Sequence, residues 1–298
     1  MSVNHLVKLA CLTLTAIAVA SNANAHIINN LINNAQLAAT ARQEEQRLNA
    51  RVGVAVIYIA DNTSVSYRGN ERFPLDSTFK SLLCAALLHA ADNEKVTLTE
   101  SIQFTKAQLV AYSPVTEKFL APLSMNWKQL CEAALRYSDN TAANLIMKKT
   151  GGPTGLTNFL RGTGDNISRI DRFEPELNSA IPGDERDTTT PLAVSKTLYK
   201  LVLGDILLPA SRQQLSQWMQ DDKVADALLR SVMPTGWKIA DKTGAGDNGS
   251  RSIISVVWPK KHPPLIVSVY ITQTQATMAQ SNESIARIGK AIFSATRE

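Results

Sequence analysis

Pro74-Leu75-Asp76-Ser77-Thr78-Phe79-Lys80-Ser81-Leu82-Leu83-Cys84 reads as a turn that runs straight into an apolar helix. Ser77 falls in the first helical turn and Lys80 three residues on, so the two side chains share a face and the ammonium can reach the hydroxyl. The first-turn N–H groups have no intrahelical partner, and the helix dipole adds partial positive charge there. A nucleophile at that position attacks where a developing oxyanion is already stabilised. Alone, a Ser-x-x-Lys spacing is common on solvated surfaces, so its meaning depends on what the rest of the chain places beside it.

Upstream, Met1 to Lys8 carries a basic residue and no acid, Leu9 to Ala20 is an apolar run, and Ala23-Asn24-Ala25 has the small-x-small pattern of a signal-peptidase site. The run is too short to span a bilayer. Residues 1–25 are therefore expected to be a signal peptide, with export to the periplasm and cleavage near Ala25. About 270 residues remain, enough for a large core in one or two domains. The formal charge of +5 is spread without a Lys/Arg run, which argues against nucleic acid as a partner. No second apolar stretch approaches membrane length, so no membrane anchor is expected, and nothing points beyond a monomer. Cys11 leaves with the signal. Cys84 and Cys131 form an even pair in an exported chain, which suggests one disulfide, the alternative being two separate buried thiols.

Leu31 to Leu48 is rich in helix formers, with Leu37, Ala41 and Leu48 on one face. Arg51 to Ile59 is β-branched, and Asp61-Asn62 turns it into Ser64-Val65-Ser66-Tyr67, a hairpin. The long middle, about Phe73 to Gln220, reads as helices broken by Gly and Pro. Strand character returns near Trp237 to Ala240, in Arg251 to Trp258 and in Leu265 to Thr272, before an amphipathic helix from about Ser281 to Ser294. Strands at both ends with helices between imply an α/β domain from residues 26–68 and 222–298, its terminal helices on one sheet face, and an inserted all-α domain over 69–221. The cleft between them is the natural place for a small-molecule site.

A Ser–His–Asp triad is excluded by position. Of four histidines, His5 leaves with the signal, His26 becomes the new terminus, and His262 lies in a charged turn. His89 sits about 18 Å along the Ser77 helix at 1.5 Å per residue. The base for Ser77 is then a lysine or a carboxylate, and scarce histidine with no clustered ligands argues against a metal. Ser138-Asp139-Asn140 precedes a helix. Its serine can relay a proton and its amide can hold a carbonyl, although all three residue types also favour a helix N-cap. Lys242-Thr243-Gly244 follows Ala240-Asp241 on a strand, where the lysine and threonine suit a carboxylate and the glycine admits a close backbone approach.

Ser77-x-x-Lys80, Ser138-Asp139-Asn140 and Lys242-Thr243-Gly244, in this order, are a signature shared by class A serine β-lactamases and penicillin-binding proteins. The sequence resembles class A serine β-lactamases throughout the mature chain. Arg172-Phe173-Glu174-Pro175-Glu176-Leu177-Asn178 resembles their Ω-loop, whose carboxylate separates the two families. The resemblance implies the β-lactamase/transpeptidase-like fold, a five-stranded antiparallel sheet flanked by helices with a helical domain inserted, and no cofactor. It implies hydrolysis of penicillins, and more weakly of early cephalosporins, through a serine acyl-enzyme. Ser77 would attack the ring amide, the N–H groups of Ser77 and Ala245 would hold the oxyanion, and Ser138 would protonate the ring nitrogen. Glu174, with Asn178, would activate the deacylating water. The base that deprotonates Ser77 is left open between Lys80 directly and Glu174 through water. Tyr112 would wall the cleft, Asn140 and the Ala245 backbone would hold the side-chain amide, and Lys242, Thr243, Gly244 and Arg251, with Asn282 behind it, would face the substrate carboxylate. Arg172 and Asp187 would pair to close the loop, with a cis peptide before Pro175.

Spacing adds one inference. Cys84 lies seven residues after Ser77 and Cys131 seven before Ser138, so each thiol sits nearly two turns, about 10 Å, from its motif, and a bridge would clamp the two segments. Asp76 and Gly246 stand where class A carbapenemases carry an extra disulfide, which therefore cannot form. Gly246-Asp247 also lacks the small polar and basic pair linked to wider cephalosporin use. Lys242 replaces the arginine of specialised carbenicillinases, although the surroundings of Ser77 are similar to theirs. A peptidoglycan peptidase is the competing enzyme, and a β-lactam sensor domain the competing binding protein. Glu174 with Asn178 argues against the first, and the absence of an anchor against the second.

Overall fold

The apolar runs that bracket the chain pair with each other across its whole length. In the computed structural model, which describes residues 32–296, Arg51–Tyr58 (β1), Thr63–Tyr67 (β2), Lys238–Ala245 (β3), Arg251–Trp258 (β4) and Leu265–Thr272 (β5) form one antiparallel sheet in the order β2-β1-β5-β4-β3. The first strand thus lies beside the last, with Arg51 opposite Thr272 and Tyr58 opposite Leu265. The expected signal peptide lies outside the described residues.

Side chains alternate across the sheet, and both faces are apolar. Val52, Val54 and Val56 of β1, Ile253 of β4 and Val267 and Val269 of β5 meet the terminal helices Asn34–Leu48 (α1) and Met278–Ala295 (α8), as expected from Leu37 and Ala41 on one face of α1. The opposite face, with Ile254, Val256, Ile266 and Tyr270, closes on the inserted helices.

Those helices are Phe79–Asp92 (α2), Trp127–Arg136 (α3), Asn140–Lys149 (α4), Gly152–Gly162 (α5), Pro191–Val202 (α6) and Pro209–Gln220 (α7). Every residue of α2 from Phe79 to Leu88 is buried, as befits a helix enclosed by others. It is surrounded by α3, α4, α5 and α7, whereas α6 packs on β1, β4 and β5. The expected strands and terminal helices are found, with small shifts in extent. The third strand carries the Lys242 motif as expected and ends at Ala245, α1 begins at Asn34, and α8 begins three residues earlier than expected, where Thr277 caps it by accepting from Gln280 N–H.

The disulfide expected between Cys84 and Cys131 is corrected here. Helices α2 and α3 bring the residues together, but both are free and buried, and the Cys84 Sγ donates to the Cys131 carbonyl oxygen at 3.8 Å. Burial pushes the Cys131 thiol well above its ordinary range, and Cys84 beside it adds to that, so the thiolate needed for exchange is disfavoured.

Candidate active site

Ser77 lies in a single 3₁₀ turn, Asp76–Thr78, that feeds α2, so its backbone N–H opens a buried helix. Lys80, fully buried, fills the space between three segments. Its Nζ donates to Ser77 Oγ at 2.8 Å, to the Ser138 carbonyl at 2.8 Å, to Ser138 Oγ at 3.3 Å and to Asn140 Oδ1 at 2.5 Å. It also stands 3.1 Å from Glu174 Oε1, although out of alignment for a hydrogen bond, so that oxygen has no hydrogen-bond partner. Burial holds the Lys80 pKa below the ordinary lysine range, and the Glu174 charge opposes that shift. One cation therefore touches the nucleophile, the candidate proton relay and the candidate hydrolytic carboxylate.

The Ser-Asp-Asn segment divides its duties. Asp139 is the helix cap. It accepts from Ala142 N–H at 2.8 Å, and from Val115 and Thr116 N–H and the Thr116 hydroxyl of the facing loop. With the cap assigned to Asp139, Ser138 and Asn140 are left to face Lys80. Ser138 has φ 58° and Tyr112 φ 61°, positions where non-glycine residues are uncommon. Tyr112, 59% exposed, walls the cleft and is tied to the motif by its carbonyl, which accepts from Asn140 N–H at 3.0 Å.

The loop from Arg172 to Asp187 is closed as expected. Arg172 Nε donates to Asp187 Oδ2 at 2.6 Å, and Asp187 Oδ1 accepts from Asp171 and Arg172 N–H. The Glu174–Pro175 peptide is cis. Glu174 is fixed at both backbone groups by Asn144, which accepts from its N–H at 2.9 Å and donates to its carbonyl at 2.8 Å. The Asn178 amide donates to Glu174 Oε2, so it orients the carboxylate rather than standing free to hold a water. Asp187→Ala would strand a guanidinium and two N–H groups. We expect a loss of about 2–4 kcal/mol in stability, read as a lower thermal midpoint, and turnover lowered with it.

Strand β3 forms the opposite wall. Lys242 is buried, with Nζ 3.9 Å from Asp222 Oδ2 and donating to the Thr243 carbonyl at 3.0 Å. Burial lowers its pKa to about 8 against the pull of Asp222. Gly244 is required by the protein's own packing: a Cβ there would lie 2.8 Å from Asp76 Cβ and 3.1 Å from Ser77 N, closer still to Ser252 Oγ. That proximity sets β3, and Ala245 at its end, beside the backbone N–H of Ser77. Arg251 on β4 is buried rather than solvated. It donates to the Gly244 carbonyl at 2.9 Å and to Asn282 Oδ1 at 2.7 Å. Ser77, Ser138, Asn140, Asn178, Thr243 and Ala245 all line one cleft of about 380 Å³, together with Tyr112, Gly244 and Arg251.

Four contributors went unnoticed in the sequence. Asn144 follows Asn140 by one helical turn, a spacing that could have revealed it. Val224 and Met278 line the cleft and Asp222 pairs with Lys242, with no local signal for any of them. Among the described residues no cluster of His, Cys, Asp or Glu could hold a metal, and no helix is long and apolar enough to cross a membrane.

A buried serine–lysine pair facing a carboxylate beside an open cleft is the arrangement of a serine acyl-transfer hydrolase. Residues 34–296 match the model of the β-lactamase enzyme family. The chain is 52% identical to β-lactamase AER-1 of Aeromonas hydrophila, over 85% of this chain and 84% of that one. It is 48% identical to β-lactamase CARB-3 of Pseudomonas aeruginosa, over 84% and 86%. An ancestral class A β-lactamase superposes with TM-score 0.84 at 48% identity, covering 86% of this chain and 98% of that one. The chromosome-encoded β-lactamase of Vibrio parahaemolyticus superposes with TM-score 0.85 at 43% identity, covering 88% and 99%. The chain belongs to the β-lactamase enzyme family, and within it to the class A serine β-lactamases. It is a hydrolase that opens the β-lactam ring, the chemistry of β-lactam resistance.

Proposed function

We propose that the reaction runs through Ser77 in two covalent stages, with penicillins as the preferred substrates. The observation that carries this reading is the single buried ammonium of Lys80 held between Ser77 Oγ at 2.8 Å and Glu174 Oε1 at 3.1 Å. In acylation Ser77 Oγ attacks the ring carbonyl and its proton passes either to Lys80 in the neutral amine form that burial favours or, through water, to Glu174. The carbonyl oxygen, now negative, takes the N–H groups of Ser77 and Ala245. Ser138, which borders Lys80, returns a proton to the ring nitrogen as the C–N bond breaks. In deacylation Glu174, oriented by Asn178 and Asn144, takes a proton from water as the water attacks the ester. Asn140 and the Ala245 backbone bind the side-chain amide against Tyr112, and Lys242, Thr243 and Arg251 face the carboxylate. The free, periplasmic monomer expected of an exported enzyme belongs to the same proposal.

Steady-state hydrolysis of benzylpenicillin and an early cephalosporin over a pH series tests this. Benzylpenicillin should have the higher kcat/KM. Lys242 is charged below its pKa of about 8, so recognition of the substrate carboxylate weakens as pH rises through that value, and KM should rise there. A cephalosporin preference, or a KM indifferent to pH between about 7 and 9, would contradict the assignment.

A further inference from the structure

Directly before the nucleophile lies a carboxyl group that the reaction does not use. Asp76 is fully buried and left-handed, with φ 44°, a conformation that its short polar side chain tolerates. Its Oδ2 lies 2.5 Å from Ser250 Oγ, and its Oδ1 has no hydrogen-bond partner. The side chain is wedged between the two backbone segments whose N–H groups face the oxyanion. It belongs to the Ser77 segment and is packed against β3, so that a Cβ on Gly246 would come within 2.5 Å of both Asp76 Oδ1 and the Asn178 carbonyl. Ser250, on the other side, leads directly into Arg251.

We propose that Asp76 is a positioning residue for acyl transfer, which joins the Ser77 and Ala245 halves of the oxyanion hole through Ser250 and Gly246, and does so as an uncharged carboxyl group. An ionised carboxylate with one buried oxygen lacking a donor is strongly disfavoured. Placed behind the two oxyanion donors, it would also oppose the negative charge that they exist to stabilise. The charged and titratable groups around it divide in sign. Glu174 of the Ω-loop and Asp247 of the β3–β4 turn disfavour its ionisation, Arg251 of β4 favours it, Tyr270 of β5 is a neutral phenol, and Lys80 on its own helix is engaged by Glu174. Burial, the largest influence, raises its pKa to about 7, within the working range of such an enzyme. Two carboxyl groups near the same serine thus have opposite duties, Glu174 as a base and Asp76 as a neutral acid.

This inference rests on the acyl-transfer reading above. Asp76→Asn imitates the neutral acid, since its side-chain carbonyl can accept from the Ser250 hydroxyl as Oδ2 does, while its uncharged NH2 takes the place of Oδ1. The kcat/KM for benzylpenicillin is measured for both proteins across a pH series, and the variant-to-wild-type ratio is taken so that Lys80 and Lys242, common to both, cancel. The ratio should rise by about tenfold between about pH 6 and about pH 8.5, as ionisation slows the wild type alone. A ratio independent of pH would overturn the proposal. Should Asp76→Asn not fold, Ser250→Ala decides. The Ser250 bond holds the Asp76 pKa down, so its loss should keep Asp76 neutral to higher pH and make the variant-to-wild-type ratio of kcat/KM rise with pH, and a ratio independent of pH would overturn the proposal. Absence of any benzylpenicillin turnover by the wild type would instead remove the acyl-transfer reading, and this inference with it.

Discussion

Glu174→Ala is expected to trap the enzyme as its penicilloyl ester. The serine, lysine and oxyanion donors remain in the variant, so attack on the strained ring amide can still use Lys80, 2.8 Å from Ser77 Oγ. What disappears is the carboxylate whose Oε1 carries no hydrogen bond and whose Oε2 is oriented by Asn178. Removal of a positioned general base costs about 10²–10⁴ in the step it serves. Loss at deacylation, with acylation slowed less, lets the ester accumulate, and intact-protein mass spectrometry would show one added penicillin mass on nearly every molecule. Turnover equal to the wild type would assign the water to another residue. If acylation also collapsed, Glu174 would be the base for Ser77 as well, and the Lys80 route would fall.

Ser77→Ala should remove acylation altogether. Among the described residues no other hydroxyl combines the first turn of a buried helix with a lysine at 2.8 Å. Ser138, the nearest alternative, is 3.3 Å from the same Nζ but lies outside any helix, just before the N-cap Asp139. Loss of the covalent nucleophile is expected to lower kcat on the order of a million-fold, the scale seen when a member of a concerted nucleophilic unit is deleted. Lys80 would lose one of its acceptors, yet the Ser138 carbonyl, Asn140 and Glu174 would still satisfy it, so the thermal midpoint should stay close to that of the parent. Penicilloylation of the Ser77→Ala variant at a measurable rate would take the nucleophile's role from Ser77.

The last two strands were legible because their β-branched runs are long and bounded by turn residues, so Arg251–Trp258 and Leu265–Thr272 have the extents read from sequence. The third strand was legible in two pieces, the stretch near Trp237 to Ala240 and the Lys242 motif on a strand after it, because Asp241-Lys242-Thr243-Gly244 has little strand propensity of its own. Pairing with β4 along its whole length imposes the conformation. At the site, the residues that touch chemistry were legible as motifs, whereas those that hold the motifs were not. Asp222 meets Lys242 from just beyond the end of α7, Asn144 brackets Glu174 from 30 residues away, and Ser250 meets Asp76 across 174 residues. Such pairings are products of topology, and no local pattern announces them. The cysteines illustrate the converse: the two residues do meet, but the disulfide expected from an even pair in an exported chain is not formed, and both thiols are free.

The account stands most directly on one measurement: intact-mass spectrometry of the purified enzyme during reaction with excess benzylpenicillin, with loss of β-lactam absorbance followed in the same sample. Many turnovers per protein molecule, with only a transient adduct that maps to Ser77, is the expected result. A stoichiometric, long-lived adduct without turnover would contradict it, because Glu174, aligned as it is by Asn144 and Asn178, would then not be releasing the acyl group.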